Sequence, residues 1–168
     1  MVLKVKMLSL LLMDILKLIL MVMVLNQQIV RIMVKDIVRD AFFLSQKSED
    51  AIKADLPIAG DLEDTLKANR ERCVGMAANM IGCKKNIIIV ATGLADLVMI
   101  NPVITEKQGP YETEEGCLSL PGTRKTIRYD RITVSYMDKK FTKHTQNFSG
   151  YIAQIIQHEC DHLAGILI

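Results

Sequence analysis

Residues 158–162 read His-Glu-Cys-Asp-His, the stretch of this chain best equipped for chemistry. On a helix, positions i and i+4 lie on one face, one turn apart. Two imidazoles so placed can share one metal ion. Glu159 is turned about 100° from His158. Its carboxylate can therefore lie beside the open position of that ion and take a proton from water there. Upstream, Ile152, Ile155 and Ile156 form an apolar stripe that can seat such a helix. The plainer reading is a pair of core histidines, but all five letters together on a helical stretch favour a metal.

Two histidines leave an ion short, because catalytic sites usually offer three protein ligands plus water. The only other histidine, His144, sits between Lys143 and Thr145 in what reads as a solvated polar turn. Among the thiols, Cys117 stands out. It lies within Glu114–Gly122 (EEGCLSLPG), a segment that reads as a turn-bounded loop. Taken alone, a free cysteine more often packs as a small hydrophobe, so both readings of Cys117 stand at this point.

The elements that must position these residues follow from periodicity and punctuation. Residues 29–38 mix β-branched and charged residues and suit an extended segment or short strand. Ala41–Asp50 can form a turn or two of helix, and Leu56-Pro57 reads as a break. Asp61 is a candidate N-cap for an amphipathic helix over Asp61–Arg72. Asn86–Ala91, Leu97–Asn101 and Arg131–Asp138 read as short strands, the last with clean alternation. Tyr151–His162 is the second helix. Helix, short antiparallel strands, helix is an α+β order rather than a βαβ one.

A length of 168 residues suits one domain with its own core. Trp is absent and aromatics make up 5%, so that core is aliphatic. A net charge of +2 gives no case for nucleic acid or an anionic membrane. The four cysteines, in a chain of this length with no good export signal, read as free thiols rather than disulfides. Residues 1–25 are strongly apolar, yet Asp14 and Lys17 would be costly at a bilayer centre and no small-residue cleavage site follows. The stretch reads as an apolar appendage, or as sequence preceding a natural start near Met33. The chain thus divides into an N-terminal extension, 1–28, and a single domain, 29–168.

Glu115–Ser119 (EGCLS) and Gln157–Leu163 (QHECDHL) together resemble the signature pair of the peptide deformylase family. Cys73–Met80 (CVGMAANM) approximates that family's glycine-rich motif, G-x-G-x-A-A-x-Q, and the three pieces come in the family's order. The resemblance covers roughly residues 30–168. It implies a fold of short antiparallel strands packed around the C-terminal H-E-x-x-H helix. It implies hydrolysis of the N-formyl group from the first methionine of new polypeptides, in the cytoplasm. The substrate would be an N-formylmethionyl peptide, carried by ribosome-associated nascent chains. The cofactor would be one divalent ion, ferrous iron by family preference, with zinc or nickel able to occupy the site. Carried over by position, Cys117, His158 and His162 are the metal ligands, and Glu159 is the general base and then the acid. The Leu118 backbone N–H is a donor to the formyl oxygen, and Gly75 belongs to the same catalytic group. Val74, Glu115 and Ile155 fall at substrate-binding positions.

The chain departs from the family pattern at two places. Cys73 replaces the first glycine, and Met80 replaces the glutamine whose side chain donates to the oxyanion. A thioether cannot donate. Either Asn79 supplies its amide instead, or Leu118 N–H and the metal suffice, or the protein is a weak or inactive relative that binds nascent-chain ends or the ribosome. Other rivals are an H-E-x-x-H peptidase, with only six residues after His162 to find a third ligand, and a membrane-associated protein resting on residues 1–25.

Overall fold

The computed structural model describes residues 13–20 and 33–168. Backbone contacts divide the chain into two units, Met1–Ile32 and Met33–Ile168. In the first, residues 13–20 are helical (α1), with an exposed i,i+3 pair, Asp14–Lys17, at 3.9 Å. Expectations for residues 1–12 and 21–32 lie outside the described residues. Among the described residues, no helix is long and apolar enough to cross a membrane.

The second unit begins with an irregular stretch tied down by its own amides. Met33 N–H donates to Asp64 Oδ2 at 2.7 Å and Lys35 N–H to Thr65 Oγ1 at 3.0 Å. A short helix, α2 (Ala41–Leu44), is capped by Asp40, whose carboxylate accepts from Phe42 and Phe43 N–H. Helix α3 spans Leu56–Ala68. The pair Leu56-Pro57, expected to break the chain, starts this helix instead. Proline in the first turn gives up an N–H that would have had no partner, and its φ is already helical. Asp61 consequently lies inside the helix rather than at its cap, and pairs with Lys35 Nζ at 3.2 Å.

Five strands form one antiparallel sheet in sequential order: β1 (Gly75–Ala77), β2 (Ile87–Ala91), β3 (Asp96–Gly116), β4 (Thr123–Met137) and β5 (Lys143–Ser149). Helix α4 (Gly150–Ala164) packs against β1, β2 and β4, and α3 packs against β1 and β2. The core is aliphatic. Ile87, Ile88, Ile89 and Val90 fill its centre with Leu62, Leu66, Met76, Met99, Ile100 and Ile156. All four cysteines are free.

The fold is α+β with antiparallel strands around the H-E-x-x-H helix. Two of the strands are far longer than the sequence suggests. β3 runs for 21 residues, passing Asn101-Pro102 and Gly109-Pro110 without ending. Its register shifts between Ile100 and Val103 and between Ile104 and Glu106. At the first of these Asn101 takes a φ of 52°. Its side-chain amide secures the turn by clamping both backbone groups of Ala51, at 2.7 and 3.0 Å. β3 thus changes partners. Asp96–Ile100 pairs with β2, and the rest forms a long ribbon with β4 that carries Glu115 and Cys117 back to α4. Glu114–Gly116, expected in a loop, closes this ribbon, and only 117–122 form the turn. His144 lies in β5 rather than in a turn, stacked on Tyr136 with Nε2 3.0 Å from Asp138 Oδ2.

Candidate active site

Helix α4 turns Ile155, Ile156, Glu159, His162 and Leu163 into the protein, with His158 at the margin. It stops just past His162, where Gly165 turns into the left-handed conformation. Gly165 has a φ of +76°, and a Cβ there would run into the Ser45 carbonyl. The freed carbonyls are met by Gly165 N–H to His162 O at 3.1 Å and Ile166 N–H to Asp161 O at 2.9 Å, the two bonds of a Schellman motif.

The end of β3 brings the third residue in. Cys117 Sγ stands 3.1 Å from His162 Nε2 and accepts from Ser119 N–H at 3.3 Å. The imidazoles of His158 and His162 meet edge to face, with centroids 5.0 Å apart. One ligand atom from each of Cys117, His158 and His162 lies within 4.8 Å of the other two.

Glu115 organises the surroundings. Its carboxylate receives Arg128 Nε and Nη2 at 2.9 and 2.7 Å, Gln154 Nε2 at 2.9 Å, and faces His158 Nδ1 at 2.9 Å. Facing a carboxylate, His158 Nδ1 bears a proton, and with an ion bound Nε2 would be the ring nitrogen left to ligate it. Arg128 is itself buried and reaches Asp161 with Nη1 at 2.5 Å. Sequence reasoning placed Glu115 among the substrate-binding residues; here both its oxygens are occupied by protein partners. Arg128 and Gln154 were not singled out in the sequence. Gln154 lies one turn before His158, a spacing that could have pointed to it, whereas nothing local marks Arg128.

The site holds a thiol and a carboxylate whose neighbours favour their ionised forms. Burial works against the Cys117 thiolate, but hydrogen bonds from His158 and His162 outweigh it and hold the thiol down at about 5. Burial likewise opposes the Glu115 carboxylate, and its bonds to His158 and Arg128 bring it to about 2. His158 loses solvation, yet Cys117 and Glu115 push it up to about 10. Glu159 is raised by burial, against the opposing pull of His158 and His162. Its Oε2 is buried with no partner among the described residues.

These groups border a cavity of about 450 Å³. Val74, Gly75, Glu115, Leu118, Ile155 and Glu159 line it, so the catalytic and substrate-binding residues named from sequence come together around one cavity. Gly75 is required by a close approach. A Cβ there would collide with Ile155 Cγ2 and lie 2.7 Å from Glu159 Oε1, displacing the carboxylate. Met80 is buried beside the cavity, its sulfur 3.4 Å from Ala77 N. Asn79 does not supply the missing amide. Its Nδ2 donates instead to the His162 carbonyl at 2.6 Å, and it is absent from the cavity wall.

Residues 34–168 match the family model described as polypeptide deformylase. The peptide deformylase of Clostridium beijerinckii is 58% identical over 136 residues, covering 81% of this chain and 100% of that protein. That of Chlorobium luteolum is 34% identical over 134 residues, covering 74% of this chain and 70% of the relative. Among solved structures, actinonin-bound class I type b peptide deformylase from Acinetobacter baumannii superposes with a TM-score of 0.72 at 30% identity, over 80% of this chain and 95% of that one. The Thermotoga maritima peptide deformylase gives 0.72 at 29% identity, over 80% and 94%. The chain belongs to the polypeptide deformylase family, and it is a metal-dependent hydrolase that removes the formyl group from N-terminal formylmethionine.

Proposed function

We propose that Cys117, His158 and His162 hold one divalent ion, ferrous iron in the cell, with zinc or nickel able to take its place. The convergence of these three ligand atoms within 4.8 Å carries this reading. The donor set suits it, since a thiolate and two imidazoles are borderline-soft ligands matched to iron, nickel and zinc rather than magnesium or calcium. Unpartnered Glu159 Oε2 beside the three donors is the further group that hydrolysis requires. When bound, the ion acts as a Lewis acid toward the formyl carbonyl and lowers the pKa of the attacking water.

The residues of the chain do the rest. Glu159 accepts the proton of the attacking water and returns it to the leaving amine. Its raised pKa suits it to hold that proton between the two transfers. Leu118, directly after Cys117 on the cavity wall, offers its backbone N–H to the oxygen on which negative charge develops. Gly75 leaves the space that Glu159 occupies. Val74 and Ile155 give the methionine side chain an apolar surface. Glu115 acts on His158 rather than on substrate, fixing the ring through Nδ1. The substrate is the formylated end of a nascent chain, met in the cytoplasm. A thiolate ligand and four free cysteines suit that reducing compartment.

Loaded anaerobically with iron, the protein is expected to release formate from a formyl-Met tripeptide in proportion to its metal content. Formate release unaffected by stripping the metal would contradict the assignment. Met80→Gln is expected to raise the rate about tenfold at unchanged metal content, because it restores a second donor to an oxyanion now served by Leu118 N–H. A rate that stays flat or falls would show that another group already fills that place.

A further inference from the structure

Besides Glu159 Oε2, Asn79 Oδ1 and His162 Nδ1 are buried polar atoms at the site without a partner among the described residues. Asn79 and His162 are 0% and 1% exposed. The two side chains are already linked, since Asn79 Nδ2 donates to the His162 carbonyl at 2.6 Å. That bond fixes the amide's orientation, because only its NH₂ end can donate to a carbonyl. Oδ1 is therefore the end left over, an acceptor without a donor.

His162 presents the opposite deficit. Its Nε2 faces Cys117 Sγ at 3.1 Å. To ligate an ion, Nε2 must be bare, so the ring's proton sits on Nδ1. A buried donor without an acceptor and a buried acceptor without a donor thus belong to two residues in contact. Buried polar groups are rarely left in that state. Asn79 is held firmly enough to serve. It lies in a 3-10 turn, Ala78–Ile81, closed by Gly82 N–H to the Asn79 carbonyl at 3.1 Å and Cys83 N–H to Ala78 O at 2.9 Å.

We propose that Asn79 is a positioning residue for His162, its Oδ1 receiving the ring's Nδ1–H through one buried water while its Nδ2 holds the His162 carbonyl. Asn79 then does for His162 what Glu115 does for His158. The two metal histidines are oriented by different means, one by a charged carboxylate and one by a neutral amide. A neutral partner leaves the charge of the site unchanged. This inference rests on the reading of Cys117, His158 and His162 as metal ligands.

The test compares zinc affinity, by chelator competition, in the unaltered protein and in Asn79→Ala, alongside nitrogen-15 spectra of the His162 ring in the zinc-loaded state. Asn79→Ala is expected to weaken zinc binding about 10- to 100-fold, the usual loss for an outer-shell partner. In the unaltered protein His162 Nδ1 is expected to carry a slowly exchanging proton, which exchanges fast in the variant. Equal zinc affinity in both folded proteins overturns this inference alone. Failure of the unaltered protein to bind one zinc per chain overturns it together with the ligand reading. Should Asn79→Ala not fold, the spectrum of the unaltered protein decides: a slowly exchanging Nδ1 proton supports the inference, and a bare or rapidly exchanging Nδ1 overturns it.

Discussion

Replacing Glu159 by alanine is expected to lower formate release at saturating substrate by about 10²- to 10⁴-fold, the span typical of a lost general base and acid. The metal content should stay at the unaltered level, because Glu159 is not one of the three converging ligands. Thermal stability should hold or rise. Glu159 is buried, with Oε2 unpartnered and its carboxyl shifted upward by burial, so its ionised form is costly in the folded state. Loss of activity without loss of stability separates a catalytic carboxylate from a structural one. Glu159→Gln keeps the shape and should be equally inactive, since an amide cannot shuttle the proton. Activity within a few-fold of the unaltered enzyme in either variant would remove Glu159 from the reaction.

Cys117→Ala is expected to weaken metal affinity by more than about 100-fold, beyond the loss usual for an outer partner. Activity should fall with it at any fixed metal concentration. The thiol is the sole anionic donor among the three, and the one that His158 and His162 hold in thiolate form. The turn around it should survive, because Cys117 is only half-buried and the ribbon closes one residue earlier, at Gly116 paired with Thr123. Competition with a chromogenic chelator measures the affinity directly. A variant that keeps one tightly bound ion would show that the sulfur is not a ligand.

What the sequence disclosed tracks what is local. The H-E-x-x-H spacing lies within one and a half helical turns, so the face shared by His158 and His162 could be read from the period alone. Cys117 could not be joined to them that way. It lies 41 residues upstream of His158, and only a resemblance of motifs connected the two. The strand lengths were hidden because Asn101-Pro102 and Gly109-Pro110 look like stops, and the outer half of β3 is solvent-exposed, with no apolar alternation to follow. Sheet geometry absorbs those residues by shifting register and by the Asn101 clamp. Leu56-Pro57 misled in the other direction, as a proline can open a helix as readily as close one. Arg128 and Asn79 act across long stretches of chain, the first by reaching Glu115 and Asp161 together, the second by touching a carbonyl 83 residues away. No spacing rule reports such contacts.

The central claim is that one sulfur and two ring nitrogens of this chain share a single ion. X-ray absorption at the metal edge of the zinc-loaded protein tests it most directly. One sulfur scatterer at about 2.3 Å with nitrogen or oxygen neighbours at about 2.0–2.1 Å is the result expected. A first shell of nitrogen and oxygen alone would contradict it.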